Sequence, residues 1–222
     1  MKLLLFDLDG TLLDTLQDLT DSVNYALESE GLPQLSPGQV RRLLGNGYLY
    51  LLTNAAGRSA IDNEALQQRL LKTFRSYYDV HCIDKTAPYP GILQMLRSCK
   101  DKGNRIAVIS NKGQQAASTL VEKFFGDLVD ITVGESEGIR RKPAPDTLLH
   151  AMAQLGSTPA DTLFIGDSEV DLQAATAAGV TCLSCLWGFR DEDVLLSAGA
   201  KHLCADTTEL LKTIKTIQNT RP

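Results

Sequence analysis

A chain of 222 residues with 43% hydrophobic and 22% charged residues has enough apolar material for a sizeable core, in one large domain or a core with a smaller insert. Its net charge of -5 argues against the broad basic footprint that nucleic acid or an anionic membrane surface requires. The apolar run Leu3–Phe6 stops at Asp7, far short of a signal peptide or a membrane span.

In chain order, Leu3–Phe6 is the first of several short apolar runs without alternation, the pattern of a strand buried on both faces. From about Thr15 to about Asp79 the pattern turns helical. Leu16, Leu19, Val23, Ala26 and Leu27 make a stripe ending at Gly31, Ser36-Pro37-Gly38-Gln39 is a capping box with proline at the first helical position, and a further helix spans Glu64–Tyr78. Pro88-Tyr89-Pro90-Gly91 marks the return to alternating elements. Strand runs follow at Ile106–Ile109, Ile131–Val133, Thr162–Ile165, Val180–Leu186 and His202–Cys204. Helices Gly91–Lys102, Gln114–Phe125, Asp146–Leu155 and Asp171–Ala178 are interleaved, each stopped by a glycine. This order predicts an α/β doubly wound parallel-sheet (Rossmann-like) core, residues 1–14 and 80–222, with a helical domain inserted after the first strand, residues 15–79.

Five scattered cysteines suit thiols in a reducing, cytoplasmic setting. Cys182 and Cys185 have the CxxC spacing of a zinc site but fall on one strand run, where residues three apart point to opposite faces.

Ligands of a parallel α/β sheet bind beyond the carboxyl ends of its strands. The polar residues placed there are Asp7, Asp9 and Thr11 after the first run, Ser110, Asn111 and Lys112 after Ile106–Ile109, and Asp167, Ser168 and Asp171 after Thr162–Ile165. Carboxylates brought that close raise one another's pKa, and an all-oxygen acidic site suits Mg²⁺ as the cation that resolves the conflict. Lys142 in Arg140-Arg141-Lys142-Pro143 offers a fixed positive charge. Metal and lysine together offset the repulsion between a phosphate dianion and an attacking aspartate, so these residue types fit phosphoryl transfer to a carboxylate.

Phe6-Asp7-Leu8-Asp9-Gly10-Thr11-Leu12-Leu13-Asp14 resembles the first motif of the haloacid dehalogenase superfamily, and Ile109-Ser110-Asn111-Lys112 resembles the second. Lys142-Pro143-Ala144-Pro145 resembles the third, and Ile165-Gly166-Asp167-Ser168-Glu169-Val170-Asp171 the fourth. The helical insert, the Asn-Lys pair and Trp187-Gly188-Phe189 are similar to the phosphoglycolate phosphatase-like branch. The resemblance implies a phosphatase acting on small phosphate esters, alone or as a homodimer. Asp7 would attack phosphorus and form an aspartyl-phosphate. Asp9 would protonate the leaving oxygen and then deprotonate the hydrolytic water. The Asp7 carboxylate, the Asp9 main-chain carbonyl and Asp167 would hold Mg²⁺. Ser110 and Asn111 would hydrogen-bond the phosphate, whose charge Lys142 would neutralise. Asp171 would orient Lys142 or a water beside the metal, and Thr11 would shape the turn. The stretch Arg41–Gly47, with Arg41, Arg42 and Asn46, is where substrate choice would reside, the insert serving as a cap.

Rival readings are a β-phosphoglucomutase-like sugar phosphomutase, a pyrophosphatase and, from another class, a phospho-aspartate signalling module. Similar mutases tend to lack the last aspartate of Gly166-Asp167-Ser168-x-x-Asp171, and receiver modules have no helical insert after the first strand. No GxGxxG follows that strand, which excludes a dinucleotide-binding domain. His81, His150 and His202 stand isolated and receive no role, and Trp187 reads as a packing residue.

Overall fold

The computed structural model describes residues 2–220. Contacts divide the chain into two compact units, one made of the residues up to Leu13 and from Pro88 onward, the other of Asp14–Ala87. The chain opens with β1 (Leu3–Asp7) and β2 (Leu13–Asp14). Five helices follow: α1 (Leu16–Ser29), α2 (Pro37–Leu43), α3 (Tyr48–Ala56), α4 (Arg58–Ile61) and α5 (Glu64–His81). Then come β3 (Ala87–Pro88), α6 (Ile92–Asp101), β4 (Arg105–Gly113), α7 (Gln114–Phe124), β5 (Ile131–Glu135) and α8 (Asp146–Gln154). The chain continues through β6 (Thr162–Gly166), α9 (Glu169–Ala178), β7 (Thr181–Cys185), α10 (Glu192–Ser197), β8 (Leu203–Cys204) and α11 (Thr207–Thr220).

The larger unit is built on a six-stranded parallel sheet in the order β5-β4-β1-β6-β7-β8. β1 is central because Leu3-Leu4-Leu5-Phe6 is apolar on both faces of the pleat, and all four side chains are fully buried. Leu3 and Leu5 pack with Ala107, Ile109 and Phe164 against Leu148, Ala151 and Met152 of α8 and Ala174, Ala175 and Ala178 of α9. The small residues of α9 let that helix lie close on the sheet. α6 and α11 pack on each other through buried Met95, Leu96, Leu210 and Ile214. Each fully buried aliphatic side chain of this kind contributes roughly 1.5–3 kcal/mol against leaving it in water. The register sets Asp7 beside Ile109 and Phe6 beside Ile165, so β1 and β6 end level with one another while β4 runs on past Ile109 to Gly113.

The smaller unit is all-helical. Leu19, Val23, Ala26 and Leu27 of α1 face Leu66, Leu70, Phe74 and Tyr78 of α5, all of them buried. Tyr48 adds its ring to Phe74 and Tyr78 at centroid distances of 4.7 and 5.9 Å. The Asn63 side chain caps α5 by accepting from the Leu66 N–H at 3.0 Å. This unit reaches Ala87, not 79 as the periodicity predicts. α5 continues to His81, and the buried Asp18 carboxylate accepts from the N–H groups of Lys85 and Thr86 at 3.0 and 2.8 Å, fastening the stretch beyond α5 to α1. The segments by which the chain leaves and rejoins the core, β2 and β3, pair as a two-stranded sheet. No described helix is long and apolar enough to cross a membrane.

Candidate active site

The ends of β1 and β6 and the last residues of β4, together with the loop before α8, gather Asp7, Asp9, Ser110, Asn111, Lys112, Lys142, Asp167 and Asp171 within the larger unit. Asp7 is the last residue of β1, and its Oδ1 accepts from the Leu8 N–H at 2.7 Å. The same oxygen takes the Lys142 ammonium at 2.7 Å. Lys142 also donates to Asp171 Oδ1 at 2.7 Å and to the Ile109 carbonyl at 3.3 Å, which accounts for its three protons. The side chain is 3% exposed and lies over the Phe164 ring at 5.4 Å. Lys142 is therefore held in place by the acids of the site.

Asp171 serves two structures at once. One oxygen binds Lys142; the other accepts from the N–H groups of Asp167 and Ser168 at 3.2 and 3.1 Å and from Ser168 Oγ at 2.6 Å, closing the first turn of α9. Asp167 follows β6 and accepts from Thr11 Oγ1 at 3.2 Å and from the Phe189 N–H at 2.6 Å. Two glycines make room for it. A Cβ on Gly10, whose φ is +83°, would meet Asp167 Oδ2 at 2.3 Å, and one on Gly188 would meet Asp167 Cβ at 2.3 Å. The buried Arg190 grips Glu169 at 2.7 and 3.1 Å and steadies the loop that carries Phe189. Trp187 donates from its indole nitrogen to the Thr11 carbonyl at 3.0 Å, tying that loop to the turn after β1. Thr11 thus acts through Asp167 as well as through its turn.

Two residues have partners that the sequence does not show. The Asn111 side chain binds the Lys142 backbone: its Nδ2 donates to the Lys142 carbonyl at 2.9 Å and its Oδ1 accepts from the Lys142 N–H at 2.8 Å. A carboxamide, with one donor end and one acceptor end, matches both polar groups of an extended backbone. Lys112, beside which no role was expected, binds Asp9: its ammonium reaches Asp9 Oδ1 at 2.6 Å. The signal available in the sequence was only its place at a strand end. Ser110 is buried; its Oγ accepts from the Lys112 N–H at 3.2 Å, and the hydroxyl proton is left to donate. Arg41, Arg42 and Asn46 belong to the smaller unit, Arg41 and Asn46 half-buried and Arg42 exposed.

Oxygens of Asp7, Asp167 and Asp171 lie within 4.8 Å of one another, all three residues buried. Burial pushes the Asp7 carboxyl well up, helped by Asp171 and opposed by Lys142. Burial, and then Asp171, push Asp167 up to about 7. Lys142 runs the other way: burial alone would discharge it, but Asp171 and Asp7 more than offset that and hold it charged. Three carboxylates around one ammonium leave an excess of two negative charges. A divalent cation with a preference for oxygen donors fits that excess, and Mg²⁺ is such a cation.

The sequence model of the haloacid dehalogenase-like hydrolases matches residues 4–185. The chain belongs to the haloacid dehalogenase-like hydrolases. Phosphoglycolate phosphatase 1 of Pseudomonas aeruginosa is 35% identical over 193 residues, 85% of this chain and 70% of that protein. The phosphoglycolate phosphatase of Aquifex aeolicus is 30% identical over 190 residues, covering 85% and 86%. A crystal structure from Lactobacillus delbrueckii subsp. bulgaricus, provisionally assigned as a phosphoglycolate phosphatase, superposes with a TM-score of 0.89 at 35% identity, covering 96% and 99%. Within the haloacid dehalogenase-like hydrolases this chain is a phosphoric monoester hydrolase.

Proposed function

We propose that this phosphatase is a cytoplasmic enzyme that hydrolyses small phosphomonoesters with Mg²⁺ through a phospho-aspartate on Asp7, and that phosphoglycolate is its preferred substrate. The observation that carries the chemistry is the Asp7–Lys142–Asp171 chain beside Asp167, with Asp9 two residues after the nucleophile. Lys142 and the Leu8 N–H hold Asp7 Oδ1, so Oδ2 is the oxygen that attacks phosphorus. The Ser110 hydroxyl donates to a phosphate oxygen, and Asn111 keeps Lys142 in place from behind. Asp9 gives a proton to the departing oxygen and takes one from the water that hydrolyses phospho-Asp7. The Asp7 carboxylate, the Asp9 carbonyl and Asp167 would hold Mg²⁺, which when bound supplies charge neutralisation for the phosphoryl oxygens.

Phosphoglycolate is favoured by the names of the relatives over most of the chain, which are phosphoglycolate phosphatases. The helical unit would act as the cap that excludes water and large substrates, with Arg41, Arg42 or Asn46 meeting the substrate carboxylate. A steady-state screen of small phosphomonoesters with Mg²⁺ tests this. Phosphoglycolate should lead in kcat/KM, and Arg41→Ala or Arg42→Ala should narrow its lead over neutral sugar phosphates. Sugar phosphates or pyrophosphate clearly ahead would reject phosphoglycolate and leave the phosphatase chemistry standing.

A further inference from the structure

The two aspartates of the first motif are each matched to a different lysine. Lys142 binds Asp7, whereas Lys112 binds Asp9 through a 2.6 Å contact that spans 103 residues of sequence. Lys112 lies near the end of β4, where the pairing with β5 shifts register between Ile109 and Gly113, and its backbone N–H is fixed on Ser110 Oγ. Its side chain is 2% exposed and that of Asp9 is 20% exposed, so the ammonium is sealed inside while the carboxyl stays at the rim of the site. Burying an ammonium is costly, and a buried ion pair returns little net stability over an apolar packing of the same volume. A lysine kept here at that cost has its effect on the placement of Asp9.

We infer that Lys112 is a positioning residue for Asp9, holding Oδ1 so that Oδ2 is the oxygen that carries the proton to the leaving group. An ammonium only donates, and it therefore favours Oδ1 as the unprotonated oxygen and fixes the plane of the carboxyl group. In the first half-reaction the bond from Asp7 Oδ2 to phosphorus forms, the bond from phosphorus to the ester oxygen breaks, and the proton on Asp9 Oδ2 goes to that oxygen. In the second, water adds to phosphorus, its proton goes to Asp9 Oδ2, and Asp7 is released with its carboxylate restored. This inference rests on the phospho-Asp7 reading above.

The test compares an alkyl phosphate, whose alkoxide needs a proton to leave, with p-nitrophenyl phosphate, whose phenolate does not. In the full-length protein with Mg²⁺, Lys112→Met should lower kcat/KM on the alkyl phosphate by about 10- to 100-fold and on p-nitrophenyl phosphate by less than about 3-fold. Lys112→Arg, which keeps the charge, should recover most of the loss, and Lys112→Met should add little in an Asp9→Asn background. The ratio between two substrates on one preparation does not depend on the fraction of protein that folds. Equal losses on both substrates, or none on either, would overturn the role of Lys112. Asp7→Asn separates the two levels, because turnover retained in that variant rejects the phospho-Asp7 reading itself.

Discussion

The carboxamide of Asn111 pairs with both the N–H and the carbonyl of Lys142, at 2.8 and 2.9 Å, across 31 residues of sequence. The loop that presents Lys142 to Asp7 is thereby fastened to the end of β4 by a side chain that imitates a strand partner. Asn111→Ala removes both bonds and leaves two backbone groups unpaired. It should cost about 1–3 kcal/mol of stability and about 10- to 100-fold in kcat. Thermal unfolding and steady-state kinetics check this. A variant with unchanged kcat but weakened inhibition by inorganic phosphate would return Asn111 to direct phosphate contact.

Asp7→Asn should bring turnover to near background, a loss of at least ~10²-fold, because an amide is a poor nucleophile and a weaker metal ligand. Acid-quenched protein should carry no phosphate on residue 7 in the variant and a phospho-aspartate in the parent. More than about a tenth of the parent rate in the variant excludes the covalent route.

Lys142→Ala strips two buried carboxylates of the cation they share. Catalysis should collapse, and the metal-free form should lose on the order of 3–5 kcal/mol because uncompensated charge is left inside. Lys142→Arg should also fail, since a planar guanidinium cannot supply three donors to Asp7, Asp171 and the Ile109 carbonyl from one point. Kinetics unchanged in either variant would make Lys142 a structural cation only.

Asp167, pushed up to about 7, gives the metal-free protein a pH signature. The folded state keeps a proton that the unfolded chain releases near pH 4, so stability falls as pH rises from about 4 and the contribution is gone by about pH 7. Its size is on the order of 2–4 kcal/mol. Lys142, also held above its ordinary pKa, acts in the same sense but only above about pH 10, outside this window. A divalent cation replaces the proton, so the stabilisation by Mg²⁺ should grow across the same range. Unfolding midpoints in chelator and in Mg²⁺ between pH 5 and 8 read this directly; parallel profiles would exclude Asp167 as a ligand.

Gly188→Ala places a methyl group 2.3 Å from Asp167 Cβ and 2.4 Å from the Gly10 carbonyl, and neither neighbour is free to move aside. It should cost about 1–3 kcal/mol through overpacking and weaken activation by Mg²⁺. Gly38→Ala, in open space within α2, should leave both unchanged. An active Gly188→Ala protein with its original Mg²⁺ dependence would show that Asp167 tolerates displacement.

The sheet is legible in the sequence because a strand buried on both faces has to be apolar throughout, as Leu3–Phe6 and Ile106–Ile109 are. The acids were legible for a related reason, since a charge directly after such a run falls at a strand end. Pairings across the chain were not. Nothing in spacing says that Lys112 belongs to Asp9, or that the Asn111 carboxamide would find a backbone partner, because both depend on the register of β1 with β4. Helix α3 is not legible because it starts after Gly47, which has no side chain to cap it, and α10 because its six residues make fewer than two turns. α11 had a readable start, as Asp206 accepts from the N–H groups of Thr208 and Glu209 while Glu209 reaches back to that of Ala205. The end of the helical unit was misplaced because Asp18 ties down residues beyond α5 by hydrogen bonds that leave no periodic trace.

The central place of β1 has a consequence for synthesis. The strand that carries Asp7 is made before both of its neighbours, Arg105–Gly113 on one side and Thr162–Gly166 on the other. Leu3-Leu4-Leu5-Phe6, apolar on both faces, therefore has no partner on either edge until Arg105–Gly113 has been made and keeps one edge unpaired until Thr162–Gly166 follows. No fragment ending before Asp171 contains the ion-pair chain, so catalytic activity in a growing polypeptide reports the pairing of β1 with both β4 and β6 and not the folding of any local segment.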